Sequence, residues 1–238
     1  MKNIDMVVFD MAGTTVDEGG TVYRTLQRAL RRGGHDFEYD EILQAAGRSK
    51  FSAIEQLLGL RMDAVDRELS EKIHEDFRQL ILTTYLEEGV SEQPGASEVF
   101  RLLKGRGVRI VLNTGYDRQT ADTILDGLGW KDDGTVDLTV TSDDVARGRP
   151  SPEMIIMAMS RLGMEDPGKV AKVGDSKADI EEGLAAGCGL VVGVTTGAHT
   201  RPQLQAAGAA AVIDSLEELP PLLRLQVGGS GLDRPDGL

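Results

Sequence analysis

The chain has 238 residues, enough for one large domain or a core with a smaller inserted one, and its 40% apolar and 27% charged residues are ordinary for a globular protein. A net charge of −13 argues against nucleic-acid binding, which needs a basic face, but leaves room for a local cationic site that takes a small phosphorylated molecule. A single cysteine, Cys188, excludes an intrachain disulfide, and no apolar run approaches the ~20 residues of a membrane span. Met1-Lys2-Asn3 leads straight into an apolar strand, so a cytoplasmic protein with no membrane partner is expected.

Short apolar runs alternate with longer helical patterns, which predicts an α/β fold with a mainly parallel sheet. The first strand is expected at 6–9. The stretch 21–86 then breaks the rhythm, with four helical patterns near 22–32, 39–46, 51–58 and 64–86 and no β-rich run. Turn signals at Gly33-Gly34, Gly47 and Gly59 separate them. In the longest, Leu69, Ile73, Phe77, Leu80, Ile81 and Tyr85 recur at helical spacing, predicting the block's own core rather than a partner-binding face. Alternation resumes with a helix at 97–104, then strands at 108–112, 138–141, 169–173, 190–194 and 211–213. The helices between them are expected at 118–128, 152–162, 177–186 and 203–207. The first strand cannot pair until the chain returns near Val108, so the helical block reads as an insertion. Residues 1–16 and 92–227 form the core, 17–91 the inserted unit, and 228–238 a Gly/Asp/Pro-rich, frayed tail.

Four loops at the carboxyl ends of strands should meet in one crevice, where open α/β sheets bind ligands. In Asp10-Met11-Ala12-Gly13-Thr14-Thr15, a carboxylate ends a buried strand on a tight turn, well placed to attack phosphorus; alone, it is also an ordinary turn. In Gly174-Asp175-Ser176-Lys177-Ala178-Asp179, an apolar run opens into a helix. Asp175 read alone could cap that helix and Asp179 could face solvent, a reading that loses ground once the stretch is paired with the Asp10 stretch at the other end of the chain. Arg147-Gly148-Arg149-Pro150-Ser151-Pro152 offers a guanidinium fork from Arg149, with Arg147 as the alternative, and its prolines suit a helix start. Asn113-Thr114-Gly115-Tyr116 offers hydrogen-bond donors from the amide or the hydroxyl.

As a set these stretches resemble the haloacid dehalogenase (HAD) superfamily, from Asp5 to about Ile213. The resemblance implies a three-layer α/β/α Rossmann-like core with a helical cap inserted after the first motif. It implies Asp10 as a nucleophile forming an aspartyl-phosphate, and Mg²⁺ held by Asp10, Asp175 and the Ala12 carbonyl with Asp179 supporting the shell. Arg149 would hold nucleophile and phosphoryl group where most members carry Lys. Gly13, Asn113, Thr114, Gly115 and Tyr116 would line the phosphoryl site, with Asn113 or Thr114 in the hydroxyl's place.

Two features resemble the phosphonatase branch in particular. Ala12 stands where phosphatases carry the Asp that protonates a departing alkoxide, and Gly47-Arg48-Ser49-Lys50 resembles a cap motif whose Lys forms a Schiff base with an aldehyde. The two belong together chemically. Breaking a carbon–phosphorus bond expels a carbanion, and condensing the neighbouring carbonyl with a lysine turns that carbanion into an enamine, so no general acid is needed at position 12. A lysine of pKa ~10.4 is uncharged at pH 7 only ~0.04% of the time, so Lys50 needs burial or a cationic neighbour such as Arg48 to act; read alone, Lys50 is an ordinary solvent-facing helix residue. Phosphonoacetaldehyde hydrolases carry a proton-shuttling His three residues after this Lys, where Ala53 stands here. His35, His74 and His199 read as surface or turn residues, and Tyr116 as a positioning or proton-transfer group. The expected substrate is a small phosphonate, a 2-oxoalkylphosphonate such as phosphonoacetaldehyde. The alternative is a phosphate monoester, handled by a phosphoglycolate-phosphatase-like enzyme. The resemblance also implies a homodimer through the cap.

Overall fold

The computed structural model describes residues 3–17, 19–131 and 134–223. Six strands form one parallel sheet: β1 (Met6–Asp10), β4 (Arg109–Asn113), β5 (Leu138–Val140), β6 (Val170–Gly174), β7 (Leu190–Val194) and β8 (Ala211–Ile213), in the spatial order β5-β4-β1-β6-β7-β8. The chain leaves central β1 for β4 and β5 on one side, then crosses to β6 on the other. The carboxyl end of β1 therefore lies at a topological switch point, where flanking loops diverge and open a crevice.

All five residues of β1 are buried, as a strand covered on both faces requires. Its side chains alternate between two cores: Met6 and Val8 pack with Met154, Ile155 and Met159, and Val7 and Phe9 join the larger core on the opposite face. Phe9, Phe100 and Trp130 meet edge to face there, with successive ring centres 5.1 Å apart. The crossover helices are α5 (Ala96–Lys104), α6 (Arg118–Leu128), α7 (Glu153–Arg161), α8 (Lys177–Ala185) and α9 (Arg201–Ala206).

Between β1 and α5 lie four helices, α1 (Thr21–Arg32), α2 (Tyr39–Leu43), α3 (Lys50–Gly59) and α4 (Arg67–Glu88). Ile73, Phe77, Ile81 and Tyr85 of α4 form a buried stripe four residues apart, with Leu69 and Leu80 partly buried beside it. Each fully buried side chain of this size contributes ~1.5–3 kcal/mol, so the stripe holds α4 against α1 and α3.

Helix boundaries differ from expectation where capping decides them. Asp66 accepts from the Glu68 amide at 3.0 Å and starts α4 at Arg67, three residues after the expected start at 64. The helix expected over 39–46 ends at Leu43 and continues as turns. Sequence reading also misses a two-residue antiparallel ribbon, β2 (Val16–Asp17) with β3 (Ser91–Glu92), at the two margins of the helical block. Strands that short carry no periodicity to detect. The tail expected over 228–238 lies outside the described residues. No helix among the described residues is long and apolar enough to cross a membrane.

Candidate functional site

The register pairs Asp10 with Asn113, so both side chains emerge at the carboxyl edge of the sheet. Beyond Asp10 the chain folds tightly back: the amides of Thr14, Thr15 and Val16 all donate to the Met11 carbonyl at 3.1, 2.9 and 2.8 Å. Gly13 makes this turn at φ +80°, and a Cβ there would strike the Asp175 carboxylate. The turn aims the Thr14 hydroxyl at Asp175 Oδ1, 3.1 Å away, while the Ala198 amide donates to Asp175 Oδ2 at 2.7 Å. Asp179 closes a capping box at the start of α8, its carboxylate accepting from the Ser176 amide at 3.2 Å and from the Ser176 hydroxyl. Asp10, Asp175 and Asp179 are buried, each with an oxygen within 4.8 Å of the others.

Arg149 is buried against this cluster. Its Nη1 lies 2.6 Å from Asp10 Oδ1 and 2.9 Å from Asp179 Oδ1, and donates to the Gly47 carbonyl at 3.1 Å. Nη2 donates to the Asn113 backbone carbonyl at 2.6 Å and to Asn113 Oδ1 at 3.1 Å. Arg147, the alternative cation, points to solvent and pairs with Glu153 at 2.6 Å.

Two residues that sequence reading overlooked complete the network. Lys172, in the middle of β6 and fully buried, reaches Asn113 Oδ1 at 2.6 Å, Asp179 Oδ1 at 2.9 Å and Glu182 Oε2 at 3.0 Å. Glu182 on α8, also fully buried, lies 3.2 Å from Arg149 Nε and accepts from the Asn113 amide at 2.9 Å. A signal was present: a lysine inside the apolar run Val170-Ala171-Lys172-Val173 is tolerated in a central strand only if paired.

Asn113, the residue opposite Asp10 in the sheet, is fully buried. Its oxygen serves Arg149 and Lys172 and its amide serves Glu182, so it belongs to the buried charge network. Thr114, next along the chain and also buried, keeps the hydroxyl at the strand end, where Oγ1 accepts from the Tyr116 amide at 3.2 Å.

Burial pushes the Asp10 carboxyl above its ordinary range, against the opposing pull of Arg149. Asp175 is pushed well above by burial and then by the charges of Asp10 and Asp179. Burial acts on Asp179 too, but Arg149 and Lys172 outweigh it and hold this carboxyl low. Four buried carboxylates, Asp10, Asp175, Asp179 and Glu182, thus face two buried cations, Arg149 and Lys172. A divalent cation of hard, oxygen-seeking type matches that deficit in both charge and donor set. Asp10 and Asp175 can hold it directly, and Asp179 sits where its ties to Ser176, Arg149 and Lys172 brace the others.

The helical layer meets this floor through the loop before α3. Gly47, at φ +78°, passes so close to Ser176 that a Cβ would overlap the hydroxyl, and a Cβ on Gly115 would strike the Arg48 carbonyl. Ser49 caps α3, accepting from the Ser52 amide at 3.3 Å, and so fixes Lys50 at the first helical position. Lys50 is only 7% exposed, unlike an ordinary helix lysine. Its Nζ donates to the Arg48 carbonyl at 3.4 Å and lies 5.7 Å and 5.2 Å from the ring centres of Tyr23 and Tyr116. Tyr116 shares a 2.6 Å hydrogen bond with Tyr85 of α4. A cavity of about 220 Å³ opens beside them, lined by Gly13 of the Asp10 loop, Tyr23, Tyr39, Leu43, Gln93 and the 196–198 loop. Ala53 is buried in the core of the helical layer. Contrary to a surface reading, His74 is half-buried against the Phe51 ring, and the half-buried His199 donates its backbone amide to the Asp175 carbonyl at 3.2 Å.

Comparison with known proteins agrees with this architecture. A family model described as haloacid dehalogenase-like hydrolase matches residues 4–187. The chain is 30% identical over 260 aligned positions to phosphonoacetaldehyde hydrolase of Bacteroides fragilis, covering 94% of this chain and 97% of that one. It is 32% identical to a protein of Dickeya dadantii named probable phosphatase IndB, covering 90% and 91%. Among solved structures, a phosphonoacetaldehyde hydrolase like protein from Oleispira antarctica superposes with a TM-score of 0.80 at 25% identity, covering 93% of this chain and 91% of that one. With that fold, these relatives and this crevice, the chain belongs to the haloacid dehalogenase-like hydrolase family, with phosphonoacetaldehyde hydrolases among its relatives.

Proposed function

We propose that the protein is a Mg²⁺-dependent hydrolase that cleaves the carbon–phosphorus bond of a 2-oxoalkylphosphonate, phosphonoacetaldehyde or a close relative. The observation that carries this reading is Lys50, a buried lysine on a cap loop that packs against Gly115, beside Thr114, and against Ser176, beside Asp175. Ala12 in place of an acid supports it, as do the relatives named phosphonoacetaldehyde hydrolase.

The uncharged Lys50 amine attacks the carbonyl carbon of the substrate, loss of water leaves a neutral imine, and one proton from solvent converts it to the iminium. The Asp10 carboxylate then attacks phosphorus, and the electron pair of the carbon–phosphorus bond moves into the iminium to give an enamine. Arg149, through its 2.6 Å contact, fixes the Asp10 carboxylate for this attack, and the Thr114 hydroxyl would donate to a phosphoryl oxygen. Water hydrolyses the aspartyl-phosphate to phosphate, while protonation and hydrolysis of the enamine return the aldehyde and free Lys50. Bound Mg²⁺ would neutralise charge on the phosphoryl group and on the carboxylates of Asp10 and Asp175.

A second reading, hydrolysis of a phosphate monoester of a small metabolite with Lys50 as a specificity residue, draws on the phosphatase name of the Dickeya relative. Phosphate release from phosphonoacetaldehyde, measured beside phosphoglycolate and other monoesters in the presence of Mg²⁺, separates the two. A clear preference for the aldehyde phosphonate is expected; a preference for monoesters over every carbonyl phosphonate overturns the first reading.

A further inference from the structure

We propose that Tyr23 is a catalytic residue whose ring face stabilises positive charge on the Lys50 nitrogen, keeping the condensed intermediate in its iminium form. This rests on the carbon–phosphorus reading above and assigns a role to a residue outside all four strand-end loops.

Tyr23 is the third residue of α1 and is buried with 6% of its surface exposed. It is placed between the two halves of the site. Its ring centre is 5.7 Å from Lys50 Nζ, and the same side chain lines the cavity that Gly13 of the Asp10 loop also borders. The Tyr116 ring lies 5.2 Å from the same nitrogen, so two aromatic faces act on one charge. Cations within ≈ 6 Å of an aromatic centroid are attracted by the ring quadrupole, and the attraction grows when water is excluded, as it is around this buried nitrogen.

The chemistry shows what such faces accomplish. Only a protonated imine withdraws the electron pair of the carbon–phosphorus bond; the neutral imine does not. A carboxylate close enough to hold that proton by charge could also remove it. An aromatic face favours the cation but accepts no proton from nitrogen under these conditions, so the sink survives until phosphorus has been transferred. Tyr116 reaches the site from a strand-end loop and shares its hydroxyl with Tyr85, whereas Tyr23 also borders the cavity that Gly13 of the Asp10 loop lines.

The test replaces Tyr23 by phenylalanine and then by phenylalanines carrying one, two and three ring fluorines, which weaken the quadrupole with little change in size. Two quantities are read for each variant: the phosphate-release rate with phosphonoacetaldehyde, and the yield of borohydride-reduced adduct on Lys50 at a fixed short time. Tyr23→Phe retains the ring quadrupole and is the reference for the series. Each added fluorine should then lower both quantities in step, with the full series spanning roughly three- to thirty-fold. A purely packing role predicts equal values across the series, and that result overturns the proposal. If the unmodified protein yields no Lys50 adduct at all, the Schiff-base reading itself fails; an adduct that forms at a yield indifferent to fluorination sinks the role of Tyr23 alone.

Discussion

The floor of the crevice and its roof are made of different materials. The floor is a set of fixed charges, Asp10, Asp175, Asp179 and Glu182 against Arg149 and Lys172, almost all withdrawn from water. The roof is a lysine among tyrosine rings, contributed by α1, α3 and α4 and met by Tyr116 from below. Pre-placed charge in a dry site stabilises a phosphoryl group in transfer whatever group departs from it. On the proposed mechanism the roof would touch the departing group and so decide which bond is weakened. The two layers therefore divide the work, and each can be damaged separately.

The largest effect is expected on the floor. Asp10→Asn should retain the circular dichroism of the parent protein and lose phosphate release by on the order of 10⁴–10⁶-fold on every substrate, phosphonate or monoester. Residual turnover within tenfold of the parent would falsify the nucleophile assignment. On the roof, Lys50→Arg keeps the charge but cannot form an imine, because the guanidinium stays protonated. It should lose carbon–phosphorus cleavage as completely as Lys50→Ala, by several orders of magnitude, while any side activity on monoesters changes little. Substantial aldehyde-phosphonate cleavage by the Arg variant would mean the roof only binds, and the division of labour would be wrong.

Lys172→Met sharpens the comparison from the stability side. It leaves Glu182 and Asp179 buried with one cation fewer, a change that costs ~3–5 kcal/mol in comparable buried pairs. Urea unfolding should show that loss, and the double variant Lys172→Met/Glu182→Gln should recover part of it. A single variant as stable as the parent would show that the floor does not depend on this cation.

The smallest expected effect is a melting-temperature rise on adding Mg²⁺, roughly 5–10 °C at a hundredfold excess over Kd. Its pH dependence has a definite sign. Asp10 and Asp175 titrate above the ordinary carboxylate range when folded, chiefly because they are buried. The stability of the metal-free protein therefore falls as pH rises through those raised values and is regained as pH drops towards the unfolded carboxylate range. Mg²⁺ competes with the same protons, so its stabilising increment should shrink as the solution is acidified. Asp179, held low against burial by Arg149 and Lys172, acts oppositely, and its contribution is lost only at a still lower pH. A Mg²⁺ increment that grows on acidification would place the metal elsewhere.

Much of the floor was legible in the sequence because strand-end motifs carry local signatures. Asp10 after an apolar run, Asp175 before a helix, and Arg149 before a proline each stand out in a window of a few residues. Asn113 and Thr114 stayed open as alternatives for the phosphoryl contact because the partners of Asn113 lie 36, 59 and 69 residues away, which no local pattern encodes. Lys172 and Glu182 were overlooked for the same reason, although a lysine in a buried strand was itself a warning. Tyr23 was invisible: on α1 it reads as one more residue of an amphipathic face, and only the docking of the Gly47–Lys50 loop brings the Lys50 nitrogen to it.

The ribbon of Val16–Asp17 with Ser91–Glu92 has a consequence for how such a chain can be altered. Its register places Val16 opposite Glu92 and Asp17 opposite Ser91, so the polypeptide leaves the sheet layer and returns to it at neighbouring points. Everything between is a closed excursion whose two ends already touch. A helical segment of different length or composition can be spliced at that junction without stretching the strands beneath, as insertions with adjacent termini generally are. Specificity then becomes portable: exchanging residues 18–90 between relatives should transplant the choice of leaving group while the phosphorus-handling charges stay in place.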